Sequence, residues 1–586
     1  MNMPRFKHSF KARLSKLQLP ALLALISFYA FNRTLTNLND DHGLVISAAL
    51  RIRDGFLPGL NEPYPHGVLS PILLGKLFSI AKYLELDWQF AYILASIIQY
   101  LIFFASINSL LDVVFSLRAQ RRLTISLLVT LLAFWNWGGF YHDYLSVIIC
   151  LFSITLFHLG FSKCINTDFL PKSKLRPVDA FLFLGFLMII NPLLIKVTSS
   201  YFSLAIAIAI IACSFNIILK KGRQAIKDQL RIWLSLFSGF VIALLTICLV
   251  INRYDIGLSK FLEASFSPLF YANDLQHYSI LKLPTLYNIL QFALIFFLLY
   301  SYHFKLDKYT SIVRAYTLLL ISCLAYQLFA FWGRDHQWLC LLFGMLYFTS
   351  YPIKSYHMSN ANAIFKAAKK SLAFILLISP IVSIVHHLRS YSWYLSNRYI
   401  DFNHTPMSMF HIREYSGWGN SQDVVDIAKS VAPILNNDRT ISGYSYMDDN
   451  SYLLPLLLNR SASQKLSFIQ YNKTIFKKDL LPNLQPLNSH TLFIVCLPFR
   501  LPAEKWAQPS ALARSLLTLG ANDLPQNSLK FSNIRYFRVE PPDPAFEWIR
   551  GLLSFNINLL QKTHRLYISN HSCAVYLPNT IPRGAD

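Results

Sequence analysis

Apolar blocks of about 20 residues, long enough to cross a hydrocarbon core, recur along the first two thirds of the chain with short polar breaks between them. They predict about eleven membrane spans, near 18–36, 88–116, 123–140, 144–161, 178–191, 200–219, 232–251, 286–302, 315–332, 337–351 and 371–388. With the N-terminus inside, breaks such as "RAQRR", "KKGRQAIKDQLR" and "HFKLDKYTSIVR" fall on the cytoplasmic side. These inner segments hold more than twice as many Lys and Arg as the loops facing out, and the inverted topology would reverse that bias. Most acidic residues before position 389 then face outward, and an odd number of spans places everything after them outside.

The pattern changes in that tail. "SQDVVDIAKSVAPIL" has the period of an amphipathic helix, while "RTISGYSY" and "TLFIVCL" read as short buried strands between Pro-, Asn- and Ser-rich breaks. Roughly 200 residues suffice for one soluble α/β domain. The fold class expected is therefore a polytopic α-helical membrane protein with a C-terminal extracytoplasmic α/β domain. Its predicted parts are a cytoplasmic N-terminus (1–19), a transmembrane domain (20–388) with its first outer loop at 37–87, and an extracytoplasmic soluble domain (389–586).

Composition sharpens this reading. Hydrophobic residues make up 54% of the 586 positions and charged residues only 14%, well below the roughly 25% charged of soluble domains. The net charge of +24 is spread over short clusters between spans, which excludes a nucleic-acid surface as its cause. The basic flank and apolar run at the start of the chain, without a small-residue cleavage site, read as a retained signal-anchor. This suits a bacterial inner (plasma) membrane. The eight cysteines show no zinc spacing. Cys496 and Cys573, in the polar tail, would pair if that tail lies in an oxidising compartment.

"LNDDHGLVISAALRIRDG" follows the first span and sets Asp40 and Asp41 side by side at the edge of the bilayer. Leu44, Val45, Ala48 and Ile52 share one helical face, which suggests a short helix lying along the membrane surface and ended by Gly55 and Pro58. "YPHGVLSPILLGKLFSIAKYL" then returns as a re-entrant or juxtamembrane piece interrupted by Pro71 and Lys76. Asp41 suits helix N-capping, whereas Asp40 gains little from it. Neighbouring carboxylates repel, and a cation, a metal or a catalytic task is the usual compensation. Asp54 and Glu62 fall in a loop read as solvated and are left outside the site.

The segments "NDDHG", "AALRIRDGFLPG" and "HGVLSPIL", in that order, resemble the GT-C superfamily of polytopic, polyprenol-dependent glycosyltransferases. The match covers residues 20–90, and the remaining spans only in topology. The resemblance implies transfer of a sugar from a polyprenyl-phosphate donor to a lipid, glycan or protein acceptor on the outer face, with inversion. Asp40 or Asp41 would act as base for the acceptor hydroxyl. Some members of the superfamily use a divalent cation (Mg or Mn) at the acidic pair; here Asp40, Asp41, Asp143 and His142 would hold one.

Other outward-facing groups complete the candidate site. "FWNWGGFYHDYLS" offers Trp137, Tyr141, His142 and Asp143 for an acceptor or sugar pocket, although its aromatics also suit an interface belt. "NPLLIKVTSSYF" places Lys196 near the outer end of a span, and "INRYDIGLSKF" supplies Arg253. Arg334, Asp335 and His336 form an entire outer turn, where three ionisable groups are costly unless paired or used. Arg334, with Lys196 or Arg253, would hold the donor phosphate, and His336 would join the pocket. Two other classes compete: a lipid-linked polysaccharide polymerase or ligase, for which Arg334 and His336 would be central, and a lipid-linked glycan transporter or flippase. A transporter would carry its ionisable groups near mid-membrane, whereas these acids cluster at one surface.

Overall fold

The computed structural model describes residues 4–36, 40–56, 67–113, 117–133, 139–165, 176–196, 199–254, 257–262, 399–412, 421–437, 441–448, 453–463, 490–496 and 560–580, apart from a few single positions. The spans expected near 286–302, 315–332, 337–351 and 371–388 lie outside the described residues, as do Trp137, Arg334 and His336. Two units make up the chain: one of Met1–Asn32, Ser96–Arg253 and Pro268–Leu395, the other of Arg33–Ala95, Tyr254–Ser267 and Ser396–Asp586. The first outer loop therefore groups with the C-terminal region, and not with the spans beside it in sequence.

The first unit is helical. It contains most of α1 (Pro4–Thr36), the later part of α4 (Trp88–Val113), α5 (Ala119–Ala133), α6 (His142–Ile165), α7 (Pro177–Ile190), α8 (Ser200–Lys221) and α9 (Arg223–Arg253). Among the described residues, five helices are long and apolar enough to cross a membrane: Trp88–Val113, His142–Phe161, Pro177–Ile195, Phe202–Leu219 and Ala225–Arg253. Their outward faces are apolar, with Leu204, Ile208, Ile211 and Phe215 exposed on α8 and Leu230, Leu234, Phe237 and Leu245 on α9. Such faces are stable against lipid and not against water. The chain is an integral membrane protein.

Without a hydrophobic drive between helices in lipid, association depends on close packing of small residues. Helix α7 packs most extensively against α9, and glycines make this possible. A Cβ on Gly185 would run into the Leu236 carbonyl, and one on Gly239 into the Leu182 carbonyl. Across α6 and α7 the fit is aromatic: Phe161 meets Phe181 edge-on at 4.9 Å, and the Phe181 ring fills the space beside Gly160.

The second unit combines the first outer loop with the tail. Helix α2 (Asp40–Arg53) opens on two acidic residues, which suit a helix start, and ends in a Schellman motif. Phe56 N–H donates to the Arg51 carbonyl (2.9 Å), Gly55 N–H donates to the Ile52 carbonyl (3.1 Å), and Gly55 adopts φ +93°. Helix α3 (Leu69–Tyr83) is unbroken. Pro71 sits in its first turn, where the missing N–H costs nothing, so the interruption expected there does not occur. The two helices touch at Gly75, where a Cβ would lie 2.9 Å from the Ala49 carbonyl and from Ile52. Residues 42–51 of α2 are buried throughout, so α2 is not the half-exposed surface helix its apolar stripe suggests.

The tail supplies α10 (Ser421–Asn437), α11 (Leu453–Leu458) and a four-stranded sheet in the order β1-β2-β4-β3. β1 (Gly443–Asp448) is parallel to β2 (Thr491–Cys496), while β4 (Cys573–Pro578) is antiparallel to both β2 and β3 (His564–Ser569). The strands expected at "RTISGYSY" and "TLFIVCL" are β1 and β2. Both β2 and β4 are buried along their length, and α10 covers β4. Ser572 donates its hydroxyl to Asp423 Oδ2 (2.7 Å), tying the start of α10 to the β3–β4 turn. Cys496 and Cys573 face each other across β2 and β4 and form a disulfide. The segment 399–412 packs in the same unit: Phe410 stacks on Trp88 at 5.7 Å, and His411 N–H donates to the Leu35 carbonyl at 2.9 Å.

Candidate functional site

Three of the residues singled out in the sequence meet in the first unit. Asp143 in the first turn of α6, its neighbour His142, and Lys196 just beyond α7 are almost completely buried, at 4%, 1% and 7% exposure. Lys196 Nζ donates to Asp143 Oδ1, and His142 Nε2 lies 3.0 Å from the same oxygen. Charges removed from water are retained only when paired or used, and the start of a helix adds favourable dipoles for a carboxylate.

The surrounding backbone explains how residues 53 positions apart are brought together. Pro192 cannot donate to the helix ladder, so α7 widens after Ile190 into a π-helical turn, Asn191–Ile195. Asn191 donates Nδ2 to the Ser146 carbonyl at 3.2 Å, fixing that turn to α6 near Asp143. Lys196 then leaves in an extended conformation and donates its N–H to the Asn191 carbonyl at 2.9 Å. On the other side, Gln99 of α4 clasps the Tyr141 backbone, accepting its N–H (3.1 Å) and donating to its carbonyl (2.8 Å). Tyr141 packs its ring 4.0 Å from that of His142. Phe140, Tyr141 and Tyr144 are buried and so do not form the exposed interface belt that was one reading of this motif. Gln99 and Asn191 were not among the expected site residues; each is a lone amide within an apolar run, the only signal the sequence gives.

Lys196 is thus engaged by a carboxylate in this structure. Arg253 is exposed at the end of α9.

In the second unit, Asp40 and Asp41 open α2, and their backbone forms its first turn. Their side chains lie outside the described residues. A helix start presents backbone N–H groups that no carbonyl within the helix satisfies, a suitable setting for paired carboxylates.

Asp54, expected in a solvated loop, is instead held firmly. Its side chain is 16% exposed. It accepts Arg53 Nε (2.8 Å), Arg53 Nη2 (3.1 Å), the Ser461 N–H (2.9 Å) and the Ser461 hydroxyl (2.8 Å). Burial would raise its pKa, but the Arg53 guanidinium and the Ser461 donors outweigh it and hold the carboxyl below its ordinary 3.8. Arg53 also donates Nη1 to Asn459 Oδ1 (2.5 Å) and Nη2 to the Asn459 carbonyl (2.7 Å). Sequence reasoning could not find this contact, because its partners lie beyond any local pattern. Glu62, expected in the same loop, lies outside the described residues.

Among the described residues, no group of three or more His, Cys, Asp or Glu side chains could hold a metal ion. No protein-family model matches the chain, and no curated protein matches it. Among solved structures it is similar to the Archaeoglobus fulgidus oligosaccharyltransferase tethered with an acceptor peptide containing the NVT sequon via a disulfide bond. The identity is 11% over 96% of this chain and 74% of that one, with a TM-score of 0.42. At that TM-score the likeness carries no argument about the site.

Proposed function

We propose that the chain is a membrane glycosyltransferase of GT-C type. In this reading it moves a sugar from a polyprenyl-phosphate donor to an acceptor on the non-cytoplasmic face. The observation that carries the proposal is the placement of Asp40 and Asp41 in the first turn of α2, after helix α1 and ahead of α3. One carboxylate takes the acceptor proton as the acceptor oxygen attacks the anomeric carbon. The bond from that carbon to the phosphate oxygen breaks, and the phosphate leaves with the electron pair. Attack opposite the leaving group inverts the anomeric centre.

A departing phosphate needs cations rather than a general acid. Arg334 and Arg253 fill that role first, because Lys196 could contribute only by sharing itself with Asp143. The Asp143–His142–Lys196 cluster, with Tyr141, would line the sugar or acceptor pocket, and a divalent cation, where used, would sit at the acidic pair. The disulfide between Cys496 and Cys573 supports an oxidising compartment for the tail, in agreement with the charge bias of the loops.

The test is incubation of purified protein with radiolabelled prenyl-phosphate sugars and membrane acceptors. Asp40→Asn and Asp41→Asn should insert and accumulate normally, and at least one should lose transfer by about 100-fold or more, the scale of a general base. Wild-type turnover in both variants would refute the assignment.

A further inference from the structure

Two helices of the second unit end against each other. α2 closes in the Schellman motif already described, and α11 closes in another. There Arg460 N–H donates to the Pro455 carbonyl (3.3 Å), Asn459 N–H donates to the Leu456 carbonyl (3.4 Å), and Asn459 takes the left-handed conformation at φ +47°. Asn tolerates that conformation better than other side-chain-bearing residues. Both ends present carbonyls that carry partial negative charge. The Arg53 guanidinium lies between them, reaching Asp54 on its own side and both the side chain and carbonyl of Asn459 on the other.

The receiving loop is itself immobilised. Ser463 N–H donates to the Tyr444 carbonyl (2.7 Å), and Tyr444 donates its hydroxyl to the Arg460 carbonyl (2.7 Å). Arg460 in turn donates Nη2 to the Ser442 carbonyl (2.8 Å) and Nη1 to the Leu435 carbonyl (3.3 Å). Loop 459–463 therefore belongs to the same rigid piece as β1 and the end of α10. α2 is fastened to that piece at its C-terminal end and to α3 along its flank at Gly75.

We propose that Arg53 and Asp54 are positioning residues, through which loop 459–463 of the C-terminal region sets the placement of the α2 turn that carries Asp40 and Asp41. The chemical part of this inference rests on the glycosyltransferase reading; the mechanical part does not. A helix of 14 residues is about 20 Å long, so rocking of roughly 10° about its far end moves its first turn by about 3.5 Å. Misplacement by about 1 Å is enough to cost an enzyme roughly 100-fold. A site held from 406 positions away in sequence gives the tail direct influence over the reaction without touching substrate.

The experiment measures two quantities in the full-length protein for Arg53→Lys, Asp54→Asn, Asn459→Gly and Ser461→Ala: amide hydrogen exchange, and kcat and KM for transfer. Asn459→Gly keeps the left-handed backbone and removes only one acceptor, and Ser461→Ala keeps its N–H donor; both serve where a harsher variant fails to fold. In Asp54→Asn, exchange across residues 42–53 should rise about 10-fold or more while β2 and β4 keep their protection. kcat should fall by about 10- to 100-fold with the donor KM within about twofold. The two mild variants should fall between this variant and wild type. Unchanged exchange in α2 overturns the latch, and faster exchange with unchanged kcat overturns its positioning role. Absence of transfer from every donor, wild type included, refutes the glycosyltransferase reading instead and leaves exchange to decide the latch.

Discussion

The Lys196 ammonium binds the Asp143 carboxylate, linking the end of a π-helical turn to the first turn of α6 across 53 positions of sequence. Removing Asp143 leaves the buried Lys196 ammonium without its carboxylate, and removing Lys196 leaves Asp143 without its ammonium; breaking a buried pair in this way costs about 3–5 kcal/mol. Asp143→Asn and Lys196→Met should each lower the thermal midpoint in detergent by a correspondingly large amount. The double variant should regain most of the loss, because it leaves no orphaned charge. If the double variant regains its midpoint but not transfer, the pair serves chemistry as well as stability. A double variant that loses the sum of the two single losses would mean the pair is not energetically coupled.

A second expectation concerns the close approach of α7 and α9. Gly185→Val and Gly239→Val each place side-chain atoms where the facing backbone carbonyl now lies, and neither carbonyl can yield without the helices separating. Each change should cost about 1–3 kcal/mol or more, seen as a lower midpoint and faster proteolysis. Gly257→Ala meets open space and should be neutral.

The pH dependence of the Asp54 contacts has a definite sign. The folded carboxyl is held below 3.8 by Arg53 and Ser461 against the opposing effect of burial. Its contribution is therefore complete above the unfolded pKa and lost as pH falls through the folded value. Near pH 7, Asp54→Asn should be less stable than wild type by about 1.5–3 kcal/mol, the range for hydrogen bonds to charged groups. The gap should begin to narrow below about pH 5 and go on closing as the pH falls through the folded value. A gap that stays constant over that range would contradict the ionic character of the contact.

The disulfide joins positions separated by 77 residues. In the chain-entropy account, a loop of that length stabilises the fold by about 4.5 kcal/mol. Cys573→Ser should lower the midpoint accordingly, and dithiothreitol should do the same to wild type while leaving the variant unaffected. Identical mobility of wild type on reducing and non-reducing gels would show that the bond is not made.

What the sequence revealed and what it hid follow from the range of the interactions involved. α10 was readable from the period of 3.6 that its one buried face imposes, and β1 and β2 as short buried runs between Pro-, Asn- and Ser-rich breaks, β2 being buried along its whole length. Asp143, His142 and Lys196 were each conspicuous as ionisable groups in apolar surroundings. Their union was not, because it depends on Pro192 widening a helix and on single amides at Gln99 and Asn191. α2 misled for a related reason. Arg51 and Arg53 make it look half-solvated, yet the Arg51 guanidinium lies 4.7 Å from the centre of the Phe56 ring and Arg53 finds its partner in the tail. Asp54 beside Gly55 and Pro58 looks like any polar loop until Ser461 is placed next to it.

The strand order has a consequence for biosynthesis. β4 lies inside the sheet although it is translated last of the four strands, so a nascent chain that has not yet reached residue 573 offers β2 with one side open. An unpaired, mostly apolar strand is an adhesive edge. Ribosomal stalling or premature termination upstream of that point would leave a membrane-anchored product with a sticky, half-paired strand, a natural handle for quality-control proteases.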